Sequence, residues 1–361
     1  MLFSYSPVGF DNNWLHDILI AILRTDMERL DGGLPRLTWT ACIPEAYREA
    51  LKRKHGLKSR RTTLLDRYEE LAGAGRADVR GALARHNAMP GIFDDGLPCV
   101  TLSELPEEIR EPIKELFDHA FVILSDTKLR DENYKKIYDA LQYKVCAFCG
   151  VEILDAPGQR REALDHYLPI SIYPFAGVNF RNIAPMGGKC NSRYKLTQNI
   201  LFDPITGNRR ACCDPYDSPS ISLSLADSRP FEGASVDLVT CPDWVIRWEG
   251  GDPHKLQTWE AVFAISDRYR ESSLNPNFRG WIDHFCQWAA RQPNDADSPE
   301  LMQKLLAEFA EIVVPEGYSD SAFLKRATFQ MLADRCDEAE DGRRLFEWLH
   351  DQIVERRTLA T

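Results

Sequence analysis

The sequence predicts a mostly helical α+β protein, and three observations carry that expectation. Apolar residues recur at helical spacing through most of the chain, while strand-like runs are few and short. The helical pattern is broken once, between Lys144 and Tyr216, where cysteine, histidine, aspartate and asparagine crowd together. The 361 residues divide accordingly. A helical domain is expected over 1–143, a chemistry-bearing core over 144–216, and a β-hairpin followed by helices over 217–361.

Composition bounds the function. Eight tryptophans and seventeen phenylalanines argue for packed cores and against disorder. The first residues lack a secretory signal, and apolar runs such as Ile18 to Leu23 are too short to cross a bilayer, so a soluble, cytoplasmic protein with no membrane partner is expected. Ten cysteines are too sparse for a disulfide scaffold. Cys42, Cys99, Cys241, Cys286 and Cys336 stand alone among apolar neighbours and read as core residues. A net charge of −11 means that nucleic-acid binding would need a local basic patch, a metal or a partner.

In chain order, Trp14, Leu15, Ile18, Leu19 and Ile22 follow the capping residues Asp11 and Asn12 and predict the first helix. His16-Asp17 lacks the further ligands of a metal phosphohydrolase and reads as structural. The basic run Lys52 to Arg61 reads as a solvated helix face. A helix from near Ser103 carries Ile109, Ile113, Leu116, Phe117, Ala120 and Phe121 on one face, and another over Asp131 to Leu141 delivers the chain to Cys146. Asp217 to Arg229 is rich in Ser, Asp and Pro and reads as a linker. Val236 to Val239 and Trp244 to Trp248 read as paired strands. Aromatic helices follow from Trp259 and from Phe278, and Ser298-Pro299 starts the next.

The core carries Cys146-Ala-Phe-Cys149-Gly150, then Asp165-His166-Tyr-Leu-Pro169, then Asn182-Ile-Ala-Pro185, then Cys190-Asn191-Ser-Arg-Tyr-Lys195. The Cys-x-x-Cys pair alone fits either zinc or redox chemistry, and Cys190 tilts it to zinc. In this order the motifs resemble the HNH endonucleases, over Cys146 to Lys195. The resemblance implies a ββα-metal, treble-clef-like core beside a structural zinc site. One feature departs from the family: the first thiol of the second cysteine pair is replaced by Gly187. Structural zinc takes four ligands, so Cys213, or else Cys212, is expected to join Cys146, Cys149 and Cys190.

The resemblance also assigns roles. His166 would be the general base, with a pKa near the ordinary ~6.5. Asp165, on the opposite face of the same short strand, and Asn191 would give oxygens to a catalytic Mg2+ or Mn2+. Asn182 would tie down the loop carrying His166, and Lys195 would meet a phosphate oxygen. Arg160, Arg161, Arg181, Lys189, Arg193, Lys195, Arg209 and Arg210 make the core basic inside an acidic protein. The implied activity is hydrolysis of phosphodiester bonds in DNA, or in RNA, leaving 5′-phosphate and 3′-hydroxyl ends. A weaker resemblance is to HNH subunits of bacterial anti-phage systems of the Septu type, which implies a regulated effector. The chain has no Walker loop, so an ATPase would be a separate partner; self-association is compatible with the sequence. The rival expectations are a non-catalytic zinc-dependent nucleic-acid-binding module and a protein-interaction module.

Overall fold

The computed structural model describes residues 1–159, 164–236, 239–292, 296–336 and 341–360. Thirteen α-helices run in chain order. The first seven are α1 (Trp14–Asp31), α2 (Trp39–Cys42), α3 (Arg48–Leu51), α4 (His55–Glu70), α5 (Gly73–Arg85), α6 (Glu107–Asp126) and α7 (Leu129–Ala140). After the core come α8 (Pro253–Phe263), α9 (Ile265–Tyr269), α10 (Asn275–Ala289), α11 (Pro299–Glu308), α12 (Ala322–Arg335) and α13 (Asp341–Ala360). Strands are few and short, so the mostly helical α+β expectation holds.

The helices form where the apolar stripes put them. On α6, Ile109, Ile113, Leu116, Phe117, Ala120, Ile123 and Leu124 fall on one buried face, and that face packs on α4. Truncating one of them, as in Leu116→Ala, should cost about 2–5 kcal/mol. Ser298 caps α11 by accepting from the Leu301 amide, with Pro299 in the first turn. Asp252 does the same for α8. The aromatic run after Trp259 is broken at Ala264, whose φ of 47° ends α8 before α9 begins.

Among the described residues, six short strands form three antiparallel pairs. β1 (Leu164–His166) pairs with β2 (Ile183–Pro185), with Asp165 opposite Ala184 and His166 opposite Ile183. β3 (Ser222–Ser224) pairs with β6 (Arg247–Glu249), and β4 (Ser235–Val236) with β5 (Val239–Thr240). This corrects the expected pairing of Val236–Val239 with Trp244–Trp248. Val236 turns back on Val239 itself, with Asp237 and Leu238 outside the described residues. The strand ending in Trp248 instead takes its partner from Asp217–Arg229, the stretch expected to be a linker.

Two cores result. One joins α1, α4, α5 and α6 to Leu164, Phe175, Phe180 and Ile183. The other gathers Met1, Leu2 and Tyr5, the cysteines of the central stretch, and the C-terminal helices. The β1–β2 ladder therefore lies between them, with Ile183 in one core and Ala184 in the other. A short antiparallel pair buried on both sides is rigid ground for side chains at its end. The isolated cysteines behave as expected: Cys99, Cys241, Cys286 and Cys336 are buried and Cys42 is half-buried.

Candidate functional site

β1 alternates buried, half-buried and buried, so Leu164 and His166 share one face and Asp165 takes the other. His166 is 7% exposed, packs against Phe121 with ring centroids 4.4 Å apart, and has Nε2 2.7 Å from the Gly177 carbonyl oxygen. A carbonyl can only accept, so the proton sits on Nε2 and Nδ1 carries the lone pair. Nδ1 has no hydrogen-bond partner among the described residues, so its lone pair is not committed to another group. Burial lowers the ring's pKa to about 4, which differs from the expected ordinary value. The imidazole is neutral at pH 7.

The chain between β1 and β2 is held by one side chain. Asn182, fully buried, accepts from the Leu168 amide at 2.7 Å and donates to the carbonyls of Leu168 (2.9 Å) and Ala176 (3.2 Å). Tyr167 N–H donates to the Asn182 carbonyl. The loop that presents the Gly177 carbonyl to His166 is thereby fixed on both flanks.

After β2 the chain enters one wide helical turn, Cys190–Lys195, with the Leu196 amide bonded back to the Asn191 carbonyl five residues earlier. Asn191 is half-buried, and its amide side chain makes no hydrogen bond among the described residues. Lys195 lies one turn later, 1% exposed, with Nζ 2.9 Å from Asp165 Oδ2 and 3.2 Å from the Leu196 carbonyl. Lys195 was expected at a phosphate oxygen. It is instead spent on Asp165, because its Nζ is buried beside the only carboxylate on β1. Leu196 has φ 48°, a conformation disfavoured for leucine, and this turns its carbonyl toward Lys195.

Half of the expected basic surplus is spent inside the fold, Lys195 included. Arg209 donates to the carbonyls of Leu97, Leu201, Arg210, Ile92 and Asp94. Arg210 donates to Ile200 and Asn199, and Arg181 pairs with Asp214. Arg160 and Arg161 lie outside the described residues. Lys189 and Arg193 remain exposed, on and beside the Cys190–Lys195 turn.

The thiols assemble 146 to 190 as expected, with a different fourth member. Cys146, Cys149, Cys190 and Glu152 place their ligand atoms all within 4.8 Å of one another. Cys213 and Cys212 are elsewhere, which corrects both expectations for the fourth ligand. Cys213 Sγ accepts from the Met1 amino group at 3.3 Å and faces the Lys255 carbonyl, and Cys212 packs at Tyr167 and Phe93. Glu152 was missed because a glutamate three residues after a cysteine looks like any surface glutamate. The signal available was Gly187, which vacates the place of a thiol.

Comparison with protein-family models, with curated proteins and with solved structures gives no significant match.

Proposed function

We propose that the chain is a metal-dependent endonuclease of the HNH type, with β1, β2 and the Cys190–Lys195 turn as its ββα-metal core. The observation that carries this reading is the state of His166. Its Nε2 is pinned by a backbone carbonyl while its Nδ1 keeps an uncommitted lone pair among the described residues, on a strand whose neighbouring residue is a half-buried carboxylate.

In this reading His166 Nδ1 takes the proton of the water that attacks phosphorus. Burial makes it a weaker base than a free imidazole, and one already unprotonated at neutral pH. Asn182 holds the ring's carbonyl partner in place. Asp165 and Asn191 offer two hard oxygens suited to Mg2+ or Mn2+, which when bound supplies Lewis acidity to the scissile phosphate. The donor types suit such an ion: the Asp165 side chain keeps 22% exposure with Oδ2 on Lys195, and the Asn191 amide has no hydrogen-bond partner among the described residues. Lys195 positions the Asp165 carboxylate, and Lys189 and Arg193 face the phosphate backbone.

The test is cleavage of DNA and of RNA by the purified chain in Mg2+ or Mn2+. His166→Ala should slow cleavage by about 10²–10⁴-fold with the fold intact. An equal rate for the variant and the wild type would remove His166 as the base. Mn2+ binding followed by electron paramagnetic resonance gives a second readout that needs no turnover: Asp165→Asn should lose it. The regulated-effector reading, with a separate ATPase, rests on the sequence resemblance, and co-purification tests it.

A further inference from the structure

We infer that Cys146, Cys149, Cys190 and Glu152 form a mixed three-thiolate, one-carboxylate zinc centre, in which Glu152 takes the place of a fourth cysteine and Arg268 is its outer partner. The inference stands apart from the nuclease reading, since it concerns a different set of side chains and is read out by metal content.

The sequence builds the centre locally. The Cys149 and Gly150 amides both bond the Cys146 carbonyl, at 3.2 and 2.7 Å, and Gly150 takes φ 67°, where a side chain would be strained. Cys146 N–H then bonds the Glu152 carbonyl at 2.8 Å, closing a tight knuckle. This knuckle turns two thiols inward and carries the Glu152 side chain across to the start of the Cys190–Lys195 turn. There Oε1 accepts from the Lys189 amide (2.9 Å) and Oε2 from the Cys190 amide (3.2 Å). The carboxylate is thus locked with Oε2 toward the thiols, 3.8 Å from Cys149 Sγ.

Gly187 shows that the space is shaped for this carboxylate. A Cβ there would lie 2.2 Å from Glu152 Oε2 and 2.8 Å from its Cβ. A cysteine at 187 and the present Glu152 exclude each other, so the missing thiol and the added carboxylate are one exchange. Three buried thiols and one oxygen at mutual ligand distance make a closed, four-donor set, which is the arrangement of structural zinc. Thiolate-rich sites select zinc over hard cations, and iron–sulfur clusters are held by four cysteines or by two cysteines with two histidines, neither of which this set supplies.

Four anionic donors exceed the charge of one zinc ion by two, and a guanidinium from the C-terminal half offsets one of these charges. Arg268 Nη1 donates to Cys190 Sγ at 3.2 Å, and Nη2 lies 3.8 Å from Glu152 Oε2. Its guanidinium also stacks over Tyr194 at 4.3 Å. Two further bonds fix α8 and α9 to the knuckle: Tyr269 donates to the Cys149 carbonyl and Trp259 Nε1 to the Phe148 carbonyl, at 2.5 and 2.9 Å. The centre therefore fastens the C-terminal helices to the turn that carries Asn191 and Lys195.

The experiment uses the full chain, purified and kept reduced, with zinc counted by mass spectrometry and affinity measured by chelator competition. One zinc per chain is expected. Cys212→Ser and Cys213→Ser should keep it, and Cys149→Ser should lose it. Glu152→Gln, which preserves size and through its one amide oxygen keeps one of the two backbone contacts, should weaken zinc at least ten-fold, and Arg268→Gln about 10–100-fold. Cobalt substitution gives an independent count, since its charge-transfer intensity should report three thiolates in the wild type and in Glu152→Gln alike. A chain that takes up neither zinc nor cobalt overturns the proposal. So does a Glu152→Gln variant with unchanged affinity, or a Cys213→Ser variant that loses the metal.

Discussion

Two buried cation–carboxylate pairs, Asp26–Arg61 and Asp165–Lys195, differ in one respect. Arg61 meets Asp26 with Nε and Nη2 at 2.7 and 2.6 Å, adds a bond to the Leu37 carbonyl, and both residues are sealed, Asp26 completely. Lys195 is just as buried, but its partner Asp165 keeps 22% of its side chain in contact with solvent. The first pair ties α1 to α4 and has no outlet. The second holds a carboxylate at the edge of water, beside a neutral histidine. Burial of the cation is shared, so the exposure of the anion is what separates a structural pair from one that a solution cation can reach.

The largest effect should come from breaking the sealed pair. Arg61→Met leaves the Asp26 charge without a partner or water and should cost about 3–5 kcal/mol in chemical unfolding. A loss below about 1 kcal/mol would mean that Asp26 finds water and that the two pairs are alike.

Sealing acts on protons in the same region. Burial lowers His16 to about 3 and His86 to about 4, and both Nδ1 atoms are buried without a partner. Their folded pKa values lie below the ordinary 6.5, so on acidification the unfolded chain takes up protons first. Stability is therefore complete above about pH 6.5 and falls as pH drops toward 4, by on the order of 3 kcal/mol for each histidine. Unfolding midpoints measured across that window should show the slope, and His16→Leu should make it shallower. A flat profile would show that the N-terminal core admits water.

The same distinction explains what was legible in the sequence. Stripes are local and repeat, so α1, α6, α7 and α10 could be read from apolar spacing and α11 from its Ser298-Pro299 start. The thiol trio and the Asp165-His166 strand were legible because their spacing is chemical. Partners chosen across the fold were not. The Ser222–Ser224 strand lacks β-branched residues and pairs with Arg247–Glu249, so nothing local marks it as a strand. Arg209 counts as charge in a sequence, yet its guanidinium is consumed by backbone carbonyls. Glu152 went unread and Lys195 left its expected role for the same reason, since which carboxylate faces a thiol and which lysine is buried depends on closure of the core.

The smallest effect, and the sharpest comparison, is Lys195→Met. Removing a buried ammonium relieves its desolvation cost, and Asp165 can rehydrate through its exposed edge, so stability should change by no more than about 1 kcal/mol. The Asp165 carboxylate would then lack its internal cation, and Mn2+ should bind it several-fold more tightly than in the wild type. If Lys195→Met instead destabilises as much as Arg61→Met, Asp165 is enclosed as Asp26 is. No solution cation would then reach the strand that carries His166, and the metal-dependent reading of the site would lose its physical basis.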